Sequence, residues 1–450
     1  MCREYLTSLV ITGSIICCSC GSLFAQGLTW SGYLQTDDRL QLKGRNNYSW
    51  QEYRLNMQAE VKPDEKTRLY SEVWLRSWGV PGVQNSSDLS DKDKVAPWGL
   101  DIRETYVDFY GFIFSHLDLR IGRQRIAWGT GDKINPTDNL NPYDLEDLWD
   151  FGRHMGSDGI KMTWYQGGFT FTGTVIPTFT PAVLPRGEFA SALFPPVQLP
   201  TGLSLGSMNN NITFPRNNLK ESTTIGFKVA KKLFDYDLSL SYVHGRDGLP
   251  LVRKATFVPV LVPDTVDISN ELVYPRMNIL GLDMAGSLAK VGIWSEAALF
   301  FPERVKLTTD LSALGMGTVT SMALDNNPYI KYVLGADYTF KNNIYINGQY
   351  VHGIFYERGS GNLEDYLMGR VEWKNSDETI KLTPITVCAE VKDTKDIKNN
   401  YALVYWPEIS YYPANSELTL GVRFIDGKST TTFGRLNGKN EIYLEIKYSF

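Results

Sequence analysis

Charged or hydrogen-bonding residues recur at every second position in two neighbouring segments. Glu52, Arg54, Asn56, Gln58 and Glu60 alternate with Tyr53, Leu55, Met57, Ala59 and Val61. After Pro63-Asp64-Glu65 the pattern resumes with Arg68, Tyr70, Glu72, Trp74 and Arg76, interleaved with Leu69, Ser71, Val73 and Leu75. A β-strand points successive side chains to opposite faces, so this spacing gathers charge on one face and apolar groups on the other. A hairpin closing around Asp64 would set Glu60 opposite Arg68, Asn56 opposite Glu72 and Glu52 opposite Arg76. Each such pair is worth roughly 0.2–1 kcal/mol. Together they select a register, because a one-residue slip inverts both faces. With Glu104, Asp108 and Arg120 assigned to the same face, these residues form a candidate ladder on the wall of a water-filled lumen. Such a ladder either sorts solutes by charge or stiffens the wall.

A second constellation follows. Leu119-Arg120-Ile121-Gly122-Arg123-Gln124-Arg125-Ile126-Ala127-Trp128-Gly129 precedes Asn135-Pro136-Thr137-Asp138 and Asn141-Pro142-Tyr143-Asp144. A strand with Gly122, Arg123 and Gln124, then Trp128-Gly129, then the two Asn-Pro-x-Asp phrases, resembles a group of porin-like bacterial outer-membrane barrels, similar in layout to alginate-export porins. The motif spans about 30 residues, and the general layout the rest of the chain after its leader. The resemblance implies a diffusion channel or substrate-specific porin, and it leaves charge selectivity open. Arg123 and Arg125 share strand parity with Leu119 and Ile121. That parity points them into lipid at about 2–4 kcal/mol each near midplane. A β-bulge near Gly122 or a place at the outer rim must relieve them.

Other chemistry is sparse. The segment from Gly129 to Gly156 carries Asp132, Asp138, Asp144, Glu146, Asp147 and Asp150. Calcium takes oxygen ligands from such loops, yet the spacing matches no EF-hand and acidic loops are usually solvated. Tyr242-Val243-His244-Gly245 and Tyr350-Val351-His352-Gly353 repeat one phrase. An enzymatic reading makes either histidine a general base oriented by Asp247 or Glu357. No Gly-x-Ser-x-Gly elbow or His-Glu-x-x-His motif accompanies them, and rim histidines facing water are the simpler account. No metal and no cofactor is expected.

The elements that must position these groups follow from composition. The chain has 450 residues, 45 Lys+Arg against 50 Asp+Glu, and 25 Tyr and 11 Trp. That balance offers nucleic acid no basic excess. Mean hydropathy is -0.23, and no run after residue 25 approaches the roughly 18–20 apolar residues of a spanning helix. Polar on average but rich in Tyr, Trp and Gly, the chain has the profile of a transmembrane β-barrel. Residues 1–25 read as a secretory signal, with Arg3, an apolar stretch from Leu6 to Cys20, and Ala25 before the cut; lipidation at Cys20 remains open. Cys388 is then alone in the mature chain, an ordinary wall residue.

Residues 26–450 read as one barrel. Strands are expected near 28–37, 46–61, 66–78, 100–111, 116–127, 157–166, 168–177, 222–232, 236–245, 277–289, 291–301, 329–340, 343–356, 363–374, 379–391, 399–411, 416–425 and 440–450. About 18 strands result, with 16 the alternative, and an even count keeps both ends on one side. Short turns alternate with long segments at 79–99, 128–156, 178–221, 246–276 and 302–328. Short turns belong in the periplasm and long loops outside. Rings such as Tyr110, Phe112, Phe114, Trp164, Phe234 and Phe340 flank the short turns, as an interfacial girdle would.

The closing strand puts Ile442, Leu444, Ile446, Tyr448 and Phe450 on one face. An aromatic end of this kind resembles the assembly signal of outer-membrane barrels, read by the insertion machinery. The segment Thr178–Glu221 is apolar and carries Pro181, Pro185, Pro195, Pro196 and Pro200, which argue against regular structure and for a pore constriction. The expectation is an outer-membrane channel that passes small or oligomeric polar solutes. Outer-membrane lipid, the insertion machinery and an unidentified solute are its partners, with monomer or homotrimer left open. The alternatives are a barrel enzyme acting on lipid or surface polymer and a closed structural or adhesion barrel.

Overall fold

The computed structural model describes residues 27–43, 47–83, 85–193, 197, 199 and 201–450. The secretory segment expected at 1–25 lies outside the described residues. Nineteen strand segments form one sheet. Two of them, Tyr401–Tyr405 and Glu408–Tyr411, share the same neighbours on both sides and are halves of one wall strand, so eighteen strands cross. The first strand, Thr29–Gln41, pairs antiparallel with both the second and the last, which closes the barrel. A closed sheet leaves no edge and satisfies every backbone group from within, as a membrane requires.

The side-chain pattern is inverted relative to a protein folded in water. Leu240, Leu280, Leu282, Leu334 and Leu367 are among the exposed groups. Asn56, Gln124, Glu296, Glu390 and Glu441 are at most 2% exposed. Such a continuous apolar exterior is stable only against lipid. No helix among the described residues is long and apolar enough to cross a membrane; the strands do so. The rings expected at the short turns do lie exposed there, with Phe112, Phe114, Phe234 and Phe340 pointing outward.

The first hairpin corrects the expected register. Glu52 faces Trp78, Arg54 faces Arg76, Gln58 faces Glu72 and Glu60 faces Tyr70. A bulge between Val61 and Asp64 shifts the pairing by two residues relative to the expectation. An even shift preserves both faces. The charges still meet, but diagonally: Arg68 lies 2.7 Å from Glu60, Asn56 Nδ2 donates to Glu72 at 2.7 Å, and Arg76 lies 3.6 Å from Glu52.

Of the two reliefs expected for Arg123 and Arg125, a bulge near Gly122 or a place at the rim, the bulge is absent, since pairing runs in register through Gly122 on both sides. Gly122 instead has φ +130, and a Cβ there would lie 2.4 Å from the Thr105 carbonyl oxygen. Arg123 keeps its outward parity near the end of its strand, where Asp158 receives two hydrogen bonds at 3.0 and 2.8 Å. The strand ends at Gln124, so Arg125 is free to turn inward.

Three long loops build a separate five-stranded sheet, which the sequence analysis did not anticipate. Its order is Thr318–Leu324, Val305–Asp310, Leu251–Pro259, Thr265–Val273, Ser204–Thr213. Its small core holds Phe257, Val266 and Ile268 against Leu199, Leu203, Leu311 and Leu314. Pro181, Pro185, Pro195, Pro196 and Pro200 all precede Ser204 and Pro215 follows Thr213, so no proline falls within the strand itself.

Candidate functional site

The ladder residues lie on the inner face and are joined into one network. Arg54 donates twice to Glu52, both at 2.9 Å. Arg68 bridges Glu60 and Asp108, at 2.7 and 3.2 Å, and Arg120 holds the same Asp108 at 2.6 Å. Glu72 accepts from Trp74 Nε1 at 3.1 Å, and Glu104 accepts from the Arg125 backbone N–H at 3.0 Å. Rings pave the gaps between charges: the Arg54 and Arg103 guanidiniums each sit 4.1 Å from the Trp74 ring, and Arg120 lies 3.7 Å from Tyr106.

The segment between Gln124 and Ser157 folds into this interior, and the resemblance motif is its frame. Gln124 is fully buried and donates to Gly159 O at 3.0 Å. Asn141 donates to Gln124 O at 3.0 Å and accepts from the Ile126 N–H at 2.7 Å. Arg125 clasps Asp138 and reaches Asn141 at 3.3 Å. Pro136 O receives Asn139 Nδ2 at 2.7 Å, and Pro142 O receives the Met155 N–H at 3.0 Å. Trp128 is buried among Ile126, Leu140 and Ile279.

Beside Trp128, the backbone wraps around a carboxylate from the wall, Glu296. Glu296 accepts from the N–H groups of Thr130 and Gly131, and from Thr137 N and Oγ1 at 3.3 and 2.9 Å. Successive N–H groups aimed at one anion make a nest. Gly129, at φ +96, allows that approach: a Cβ there would lie 2.6 Å from Glu296 Oε1 and 2.9 Å from Asn135 Oδ1. A lone Glu beside Trp294, Ala297, Ala298 and Leu299 was the sequence signal for this anchor, and it was overlooked.

The loop acids expected to be solvated are instead held by arginines. Asp147 meets Arg39 at 2.8 and 2.6 Å, Asp144 meets Arg103 at 2.9 Å and Arg153 at 3.0 Å, and Glu146 meets Arg76 at 2.5 Å. Burial alone would raise the Asp147 carboxyl, but the Arg39 guanidinium overrides it and holds the group well below the usual carboxylate range. Asp144 is lowered in the same way by Arg153 and Arg103. Burial pushes His154 down, which favours its neutral form, and its ring packs on Tyr143 with centroids 4.2 Å apart. Asp132 and Asp150 are the exceptions: Asp132 is exposed, as expected, and Asp150 is half exposed and 3.9 Å from Arg153.

Two cavities flank this loop, of about 450 and 430 Å³. Arg54, Asp150 and Arg153 line both and so stand between them. The 178–221 segment contributes only partly to the interior: Phe189 and Ala192 are buried with Trp149 and Phe433, and Arg435 donates to Ser191 O at 3.1 Å. Its later half belongs to the separate sheet.

The histidines take other partners than the enzymatic reading requires. His244 Nδ1 meets Asn278 at 2.8 Å, and His352 Nδ1 meets Asp365 at 2.7 Å. Asp247 binds Arg358 at 2.6 Å, and Glu357 accepts from Tyr366 OH at 2.5 Å. Cys388 is buried on the inner side of the wall beside Val404 and Tyr366. Phe450 exchanges backbone hydrogen bonds with Gly32, both at 3.0 Å, and its ring lies exposed.

No family model and no curated protein matches the sequence. Among solved structures, Pseudomonas aeruginosa OccK9 (OpdG) superposes at a TM-score of 0.51 with 10% identity, over 95% of this chain and 99% of that one. OccK8 (OprE) of the same organism gives 0.49 with 9% identity, over 95% and 99%. Salmonella typhi OmpF, in complex with daunomycin, gives 0.40 with 9% identity, over 94% and 97%. At such identities the likeness is one of fold, that of the outer-membrane porin barrel.

Proposed function

We propose that the chain is a passive outer-membrane channel for small or oligomeric polar solutes, narrowed from within by residues 125–156. The observation that carries this reading is a pair of cavities, of about 450 and 430 Å³, inside a closed barrel, with Arg54, Asp150 and Arg153 standing between them. Both signs of charge line them, a setting for solutes that exchange hydrogen bonds with planar polar groups rather than for apolar ones. Its kinship with alginate-export-type porins rests on the motif from Gly122 to Asp144 alone. Residues 1–25 would direct export, and Phe450 would present the closing strand to the insertion machinery; a chain lacking Phe450 should accumulate poorly in the outer membrane.

The tight seating of the loop favours one second reading, a barrel closed at rest. Planar-bilayer recordings of refolded protein separate the two. Steady conductance, with reversal potentials and swelling rates that differ among anions, cations and sugars, is the expected result. A barrel that inserts but carries no current supports the closed reading. Hydrolysis of lipid that disappears in His244→Ala or His352→Ala would support an enzyme instead.

A further inference from the structure

The strand Ser204–Thr213 forms one edge of the separate sheet. It pairs in parallel with Thr265–Val273 on one side and, among the described residues, with no strand on the other. All of its residues are exposed. Proteins usually blunt such an edge with shortness, charge, proline or a cover. This one is 10 residues long and carries neither charge nor proline. The opposite edge, Thr318–Leu324, has only 7 residues.

A shift in pairing at Gly206–Ser207 leaves Met208–Thr213 as the regular part. Met208, Asn210 and Ile212 oppose Ile268, Asn270 and Leu272, while Asn209 and Asn211 oppose Ser269 and Glu271. Ile268 is buried in the sheet's small core, but Met208 and Ile212, on the same face, stay exposed at 41% and 46%. The apolar face therefore stops one strand short of being covered. A strand that completes it must bring apolar groups at alternate positions and no charge against this neutral edge.

We infer that a second copy of the chain completes this sheet, the two Ser204–Thr213 strands pairing antiparallel about a two-fold axis at Asn210. That register puts Met208 opposite Ile212 of the copy and Asn209 opposite Asn211 of the copy, apolar against apolar and amide against amide. A one-residue slip would turn the copy's apolar groups to the other face of the sheet. The contact is self-complementary, as a two-fold interface must be. It is independent of whether the barrel conducts.

The test uses the mature chain, residues 26–450, purified in detergent. A residue on the axis faces its own copy with Cα atoms about 4.5–5.5 Å apart in an antiparallel pair, inside the roughly 4.4–6.8 Å that a disulfide bridges. Mild oxidation should therefore link two chains through Asn210→Cys; the parent chain, whose Cys388 is buried, should not link. Asn210→Lys sets two ammonium groups opposite each other and should halve the particle mass by light scattering while leaving conductance unchanged. A monomeric parent, or a dimer that survives Asn210→Lys and yields no Asn210→Cys link, overturns the inference. A link between Asn210→Cys and Thr320→Cys chains, but not between two Asn210→Cys chains, would do so too, by assigning the edge to a head-to-tail contact.

Discussion

The loop inside the barrel and the sheet above it are made from segments that leave the same end of the wall, yet they are held by different means. Within residues 125–156, Asp138, Asp144, Glu146 and Asp147 are all buried, and each has a guanidinium partner, most of them on distant wall strands. The sheet has its own backbone pairing and a small apolar core, with its long edge strand wholly exposed. A chain that leaves water must have its polar groups met by the wall, whereas a chain that stays wet can meet them itself. Ion pairs of the buried kind add little net stability, because desolvation cancels most of the attraction. What they supply is position. Removing one partner strands the other, at a cost of about 3–5 kcal/mol.

The largest effect should come from the anchor. Glu296→Ala leaves the N–H groups of Thr130, Gly131 and Thr137 without an acceptor inside the barrel. The loop should leave its seat, conductance should rise severalfold, and added protease should cut between Gly129 and Arg153. Glu296→Gln keeps the shape but turns a donor toward donors, so an intermediate rise is expected. Unchanged single-channel conductance in a Glu296→Ala barrel that inserts normally would remove the contrast between a wall-held loop and a self-held sheet.

Acidity should separate two inner loops from each other. The Asp147 carboxyl is held low, so its contribution is fully present above the ordinary value of about 3.9 and is lost only as pH falls toward its depressed value. Glu357, in the loop after His352, runs the other way. Burial pushes it up to about 7, against the opposing pull of Tyr366, the Glu364 N–H and Lys331. Its contribution is therefore present below about 4.3 and is lost as pH rises through about 7. Between these limits, rising pH should loosen the 353–364 loop and leave 125–156 seated. Hydrogen exchange reads both: the amides of Ile354 and Glu364 donate to Glu357, and that of Trp149 donates to Asp147. Loss of protection at all three amides together would mean that the loops open as one body.

The strands were legible because each keeps a period of two over roughly ten residues, and no local alternative satisfies that pattern. The eighteen wall strands fall where alternation put them. The pairing within the first hairpin was not legible, since the bulge between Val61 and Asp64 leaves no trace in an alternating sequence. The loop acids read as solvated because their partners are remote in sequence: Arg39 precedes Asp147 by 108 residues and Arg76 precedes Glu146 by 70. The separate sheet was not legible because prolines colour the whole 178–221 segment, although five of them fall before the strand that begins at Ser204 and the sixth, Pro215, falls after it ends at Thr213.

The smallest effect belongs to a pair with the same chemistry as the buried ones but in a wetter place. Arg68 and Glu60 lie 2.7 Å apart near the short-turn end of the barrel, their side chains 21% and 27% exposed, whereas Arg39 and Asp147 are 7% and 11% exposed. Exposed pairs are typically worth about 0.2–1 kcal/mol, because water screens them and holding two long side chains costs entropy. Glu60→Lys should destabilise mildly, since the new ammonium faces Arg68, and adding Arg68→Glu should restore part of the loss. The restoration is partial because Arg68 also serves Asp108, at 3.2 Å, and that contact becomes a repulsion in the double variant. Denaturant unfolding of the four barrels in a double-mutant cycle measures the coupling. A coupling as large as that of a buried pair would show that water does not reach this end of the ladder, and position in the wall would then cease to explain why one charge pair anchors a loop and another only decorates a strand.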